Sequence, residues 1–166
     1  MFKFEPKYNL MKAKVLIVFI TALTLAACSK DVFTTSPQLT FQTVNANVIP
    51  YGALLSFQFQ ATDKQGDIQD SMWVQRISFI PACMVTDSVP LPFQMPQFTG
   101  SSDLSAQITV AFANASGESA APLPPCTDPT GSFQENDSCY FRFWIKDNAG
   151  NVSDTAVSPI ISIWNH

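Results

Sequence analysis

The sequence predicts an all-β domain, and three observations predict it. Residues 54–61 read Leu-Leu-Ser-Phe-Gln-Phe-Gln-Ala, with Leu55, Phe57 and Phe59 on one face and Ser56, Gln58 and Gln60 on the other. A period of two is the mark of a strand that is dry on one face and wet on the other. Similar short runs recur along the chain, parted by clusters of Pro, Gly, Asn, Asp and Ser, which is the pattern of a sandwich or barrel. Apolar residues at helical spacing are hard to find, so amphipathic helices are not expected.

Each element follows from its own residues. Residues 39–44 (Leu-Thr-Phe-Gln-Thr-Val) alternate and predict a first strand. Pro50-Tyr51-Gly52 is a turn, 54–61 the second strand, and 62–71 a polar loop. Residues 72–80 predict the next strand. Between 81 and 102 stand Pro81, Pro90, Pro92 and Pro96. Proline cannot donate to a ladder, so this stretch is mostly irregular, with a short edge strand near 89–93. Residues 105–112 predict a strand with Ala106, Ile108, Val110 and Phe112 on one face. Residues 115–138 form a long loop rich in Pro, Gly and Ser, and strands at 139–146 and 158–164 complete the set. Trp73 and Trp164 read as core or edge residues.

The chain aligns with itself once. Residues 57–71 and 141–155 both read F-x-F-x-x-x-D-x-x-G-[DN]-[IV]-x-D-[ST]. In each copy a strand runs into an Asp (Asp63, Asp147) that can close an Asx turn. A Gly able to take positive φ follows, then an aliphatic residue that re-enters the core. Two copies make two similar strand–loop–strand units, not a solenoid. Residues 146–155, with Asp147, Gly150-Asn151 and Ser153, resemble the late-strand corner of bacterial immunoglobulin-like and fibronectin-like domains. Residues 59–68 resemble its early counterpart. The resemblance implies an immunoglobulin-like Greek-key β-sandwich of about seven strands over residues 38–166. It also implies that the two Asp/Gly corners lie side by side at one end, with the 81–102 and 115–138 connections at the other. A fold of this kind hosts many unrelated functions.

The start of the chain reads as an export signal. Lys12 and Lys14 precede an uncharged run from Val15 to Ala27. That run is shorter than the roughly 20 apolar residues a membrane-spanning helix needs, and it suits the apolar region of a signal peptide. It ends in Leu25-Ala26-Ala27-Cys28, which resembles the lipobox of bacterial lipoproteins. The resemblance implies a signal peptide over residues 1–27, a lipid on Cys28, and a tether over 28–37. Met11-Lys12-Ala13-Lys14 is a sufficient basic region by itself, so Met11 is a candidate start. Ser29-Lys30-Asp31 is similar to patterns that sort lipoproteins to the outer membrane and its surface. The expected partner is thus a membrane, reached through the lipid.

Charge excludes one class of partner. The full chain carries nine Lys and Arg against thirteen Asp and Glu. Removing the leader takes away four of the nine basic residues but only Glu5 among the acidic ones, leaving a net charge of −7. Nucleic-acid binding needs clustered cations and is not expected. No catalytic residues are assigned. The lone histidine is His166, and neither a nucleophile–base pair nor a phosphate loop is present, so the expectation is a protein that is not an enzyme.

Three groups of candidate site residues remain. Cys83, Cys126 and Cys139 are an odd set in an oxidising compartment, so one disulfide and one leftover thiol are expected. Cys126–Cys139 is preferred because it staples the longest loop, Cys83–Cys126 comes second, and no CxxC pattern supports a metal. Asp63, Asp67, Asp70, Asp147, Asn151 and Asp154 converge on one end in the expected topology and form candidate ligand or cation loops, with Ca²⁺ the fitting ion. If Phe141, Phe143 and Ile145 point inward, Tyr140, Arg142, Trp144 and Lys146 face out, and an aromatic face of this sort suits a glycan or protein partner.

Overall fold

The computed structural model describes residues 33–80, 89–114, 120–123 and 136–164. The elements are all strands: β1 (Gln38–Val44), β2 (Val48–Ile49), β3 (Leu54–Asp63), β4 (Ser71–Ser78), β5 (Leu91–Gln94), β6 (Leu104–Ala113), β7 (Ala121–Pro122), β8 (Asp137–Lys146), β9 (Ala156–Val157) and β10 (Ile161–Ile163). They make two sheets, ordered β1-β3-β6-β7 and β2-β10-β8-β4-β5, with β9 also paired to β8. Most neighbours are antiparallel, but β2 runs parallel to β10 and β7 parallel to β6.

The alternation sets which face each strand buries. Leu55, Phe57 and Phe59 of β3 are fully buried, as are Phe141, Phe143 and Ile145 of β8. Ring contacts join the sheets: Phe59 to Phe143 at 4.7 Å, Phe57 to Phe143 at 5.0 Å and Phe57 to Phe141 at 5.2 Å between centroids. Each such pair is worth about 0.5–1.5 kcal/mol beyond the area it buries. On β6 the inward set is Ala106, Ile108, Val110 and Phe112, as the alternation predicts, although only Phe112 is fully enclosed.

Several short elements depart from the expected seven strands. A register shift between Phe41 and Thr43 bends β1, and the chain then leaves β1's sheet to pair β2 with β10. The turn at Pro50-Tyr51-Gly52 closes with Ala53 N–H donating to the Pro50 carbonyl, and Gly52 sits at φ +80°. The final strand is split. Pro159 cannot donate, so Ser158 bridges the break: its N–H donates to the Phe141 carbonyl while its Oγ accepts from Phe141 N–H at 2.9 Å. The expected edge strand near 89–93 appears as β5, beside β4.

Trp73 is neither core nor edge. On β4 it is out of phase with buried Met72 and Val74, so it lies half-buried on the outer face of a strand flanked by β5 and β8. The same phase carries Arg76 and Ser78 inward, where Arg76 forms an ion pair with Asp137 of β8. Ser78 Oγ donates to the other Asp137 oxygen at 2.6 Å.

Candidate functional site

The two Asp/Gly corners build the first candidate site. β3 ends in Asp63, whose side chain folds the loop after it: Oδ2 accepts from Gly66 N–H at 2.5 Å and from Asp67 N–H at 3.3 Å. β8 ends one residue before Asp147, which repeats the device. Asp147 Oδ1 accepts from Asn151 N–H, and Oδ2 from the Asn151 side-chain amide, both at 2.7 Å. Gly66 and Gly150 take φ +70° and +90°, so each corner uses its glycine as the sequence pattern requires. The corners touch: Asn148 N–H donates to the Asp67 carbonyl at 3.0 Å, and the Asn148 amide to Gln69 Oε1 at 3.3 Å.

The two corners differ after the glycine. Ile68 is buried in the core, but Val152 is 52 % exposed, against the expectation that both re-enter. The second corner turns straight back onto β8. Ser153 N–H donates to the Ile145 carbonyl and Ser153 Oγ accepts from Ile145 N–H, so Ser153 takes the inward place and Val152 points out.

Of six candidate cation ligands, the fold gathers three. One carboxylate oxygen each from Asp63, Asp67 and Asp147 lie within 4.8 Å of one another. Asp63 and Asp147 are buried, and Asp67 is half-buried. Asn151 serves by holding Asp147. Asp70 accepts from the Ser71 hydroxyl at 3.2 Å, and Asp154 is exposed; neither belongs to the cluster. Burial pushes the Asp67 carboxyl above its ordinary value of 3.8, and the negative charges of Asp147 and then Asp63 push it the same way.

The outer face of β4 and β8 is the second candidate. Trp73 stands opposite Trp144, Gln75 opposite Arg142 and Ile77 opposite Tyr140. The two indoles are parallel with centroids 6.3 Å apart, and Trp73 Nε1 donates to Ser71 Oγ at 3.0 Å. Arg142 is exposed and donates to Gln75 Oε1 at 3.4 Å, while Tyr140 packs on the exposed ring of Phe79 at 6.0 Å. Tyr140, Trp144 and Lys146 are half-buried and face outward with Arg142, as their phase on the strand predicts.

A third feature was not read from the sequence. An apolar groove of about 510 Å³ opens between β5 and β6, lined among others by Met72, Phe93, Met95, Leu104, Ile108 and Val110. Phe93, on its lining, meets Phe112 at 5.6 Å between ring centroids. The available signal was Ala106, a small residue on an inward face otherwise built of large ones, opposite a proline-flanked strand too short to cover it.

Cys28, Cys83 and Cys126 lie outside the described residues, as does the leader. Cys139 is buried on the inner face of β8, in register with Ser78 and Ile161.

No family model matches the chain. No curated protein matches it. Among solved structures, it is similar to the crystal structure of a Niemann-Pick type C2 protein from the Japanese carpenter ant, with 10 % identity and a TM-score of 0.41, over 80 % of this chain and 99 % of that one.

Proposed function

We propose that the chain is a non-catalytic binding or adhesion module of a bacterial cell envelope, held at the outer membrane by lipid on Cys28. Its fold in this reading is the immunoglobulin-like Greek key, supported by the sheet order and by the passage of the chain from one sheet to the other between β1 and β2. The ligand is an extracellular glycan laid on the outer face of β4 and β8. The observation that carries this is the parallel Trp73–Trp144 pair beside exposed Arg142 and Gln75. Electron-rich ring faces take the axial C–H groups of a sugar, and a guanidinium and an amide next to them bond its hydroxyls. Aromatic and Arg side chains are also the residues that dominate binding energy at surfaces.

Affinity electrophoresis through gels containing envelope or host polysaccharides tests the reading. Retardation that disappears in Trp144→Ala supports it. A chain that migrates unretarded through every polysaccharide speaks against it.

A second reading is an accessory subunit of an outer-membrane complex. The groove between β5 and β6 favours it, because that apolar surface suits a larger protein. Its sign is co-purification with one partner at fixed stoichiometry from native membranes.

A further inference from the structure

From the two corners we infer that Asp63, Asp67 and Asp147 form a divalent-cation site, with Ca²⁺ as its ion, that pins the β3–β4 loop to the turn after β8. The inference stands apart from the glycan reading, which concerns a different face.

The oxygens are spaced for one ion. Ca²⁺ takes oxygen ligands at about 2.3–2.6 Å, so two ligands on opposite sides stand roughly 5 Å apart and adjacent ones closer. Three carboxylate oxygens mutually within 4.8 Å fit around a single such ion. The loops also leave oxygens for it. Asp63 is fully buried, and although its Oδ2 is used by the turn, its Oδ1 is buried with no hydrogen-bond partner. Asp67 Oδ1 is in the same condition. A buried carboxylate oxygen without a donor is costly, and turn formation explains only the other oxygen of Asp63.

Charge points the same way. Among the described residues no Lys or Arg forms an ion pair with these three; the ion pair present is Arg76 with Asp137. Three carboxylates converging in a largely dry corner repel one another. A bound dication offsets that repulsion. Asp67, half-buried, leaves a path for water and for ion entry. The bound ion would tie β3, its following loop and the end of β8 together. Calcium sites of extracellular modules work at roughly 10⁻⁴–10⁻³ M, the range in which this site would fill outside the cell.

Titration calorimetry and thermal melting of the full exported chain in mild detergent, stripped with EDTA and titrated with CaCl₂, test the inference. The expected result is saturable Ca²⁺ binding and a rise in melting temperature. Asp63 also folds its own turn, so the variant to use is Asp67→Asn, whose carboxylate holds no turn; Asp70→Asn, in the same loop but outside the cluster, is the control. Asp67→Asn keeps an amide oxygen but removes one negative charge from the site, and should weaken Ca²⁺ about tenfold, with Asp70→Asn unchanged. Failure of millimolar Ca²⁺ to bind or to shift the melt overturns the site. An equal loss in Asp70→Asn overturns the assignment to these three residues. Equal stabilisation by MgCl₂ overturns the choice of ion.

Discussion

Trp73 and Trp144 face each other across β4 and β8 with their indole planes parallel, on the side of the sheet away from the core. Both are half-buried, so each indole packs on the sheet and keeps part of its surface in solvent. A double-mutant cycle of Trp73→Ala and Trp144→Ala, followed by urea unfolding, should give a coupling energy of about 0.5–1.5 kcal/mol. Polysaccharide binding should fall far more steeply than that. If both single variants keep full binding, the face is only a structural cross-strand pair.

The ion pair of Arg76 and Asp137 lies between the sheets, with both residues buried and Ser78 on the second carboxylate oxygen. Asp137→Ala takes away the carboxylate that faces a buried guanidinium and should cost about 3–5 kcal/mol in urea unfolding. Arg76→Met combined with Asp137→Leu removes both charges and should recover most of that loss. A single variant costing under about 1 kcal/mol would mean that water reaches this end of the core.

Gly66 and Gly150 hold equivalent places in the two corners but unequal surroundings. A Cβ on Gly66 would lie 2.0 Å from the Ser101 carbonyl oxygen, so the backbone of one of the two segments must shift. On Gly150 the nearest atom is the flexible end of Lys146 at 3.9 Å. Gly150→Ala should therefore cost only the conformational term, about 1–2 kcal/mol. Gly66→Ala adds a backbone clash and should cost about 2 kcal/mol more, given the usual price of overpacking. Equal melting temperatures for the two variants would contradict the close packing of Gly66 on the 100–101 segment.

What the sequence made legible was whatever repeats at short range. The alternation of β3 and β8 places Phe57, Phe59, Phe141 and Phe143 without tertiary knowledge, and the D-x-x-G pattern places both corners. Arg76 and Asp137 were also within reach, since each is in phase with the apolar residues of its strand. The split of β10 from β9 depends on Ser158 standing in for a backbone donor, and β2 and β7 are pairings of two residues each, set by where distant strands happen to lie. Of the six candidate oxygen ligands, sequence spacing could name the corners but not the facing pair of loops that selects Asp63, Asp67 and Asp147 and leaves Asp70 and Asp154 aside.

Asp67 makes the stability of the corner depend on pH, with a sign that Ca²⁺ inverts. Its titratable neighbours in the cluster are Asp63 of β3 and Asp147 after β8, both acidic. A carboxyl whose pKa is raised on folding binds its proton more tightly in the folded chain. Stability is then lost as pH climbs from about 3.8 through the higher folded value, and the loss is complete above it. In EDTA at neutral pH, Asp67→Asn should accordingly melt at a higher temperature than the parent chain. The advantage should shrink as pH falls and vanish below 3.8, where Asp67 is protonated in both states. In saturating CaCl₂ at neutral pH the order should reverse, because the parent gains a ligand-bound ion that the variant holds weakly. Melting curves of both proteins from acid to neutral pH, with and without Ca²⁺, read all three statements, and a variant less stable than its parent in EDTA at neutral pH would refute the electrostatic account of this corner.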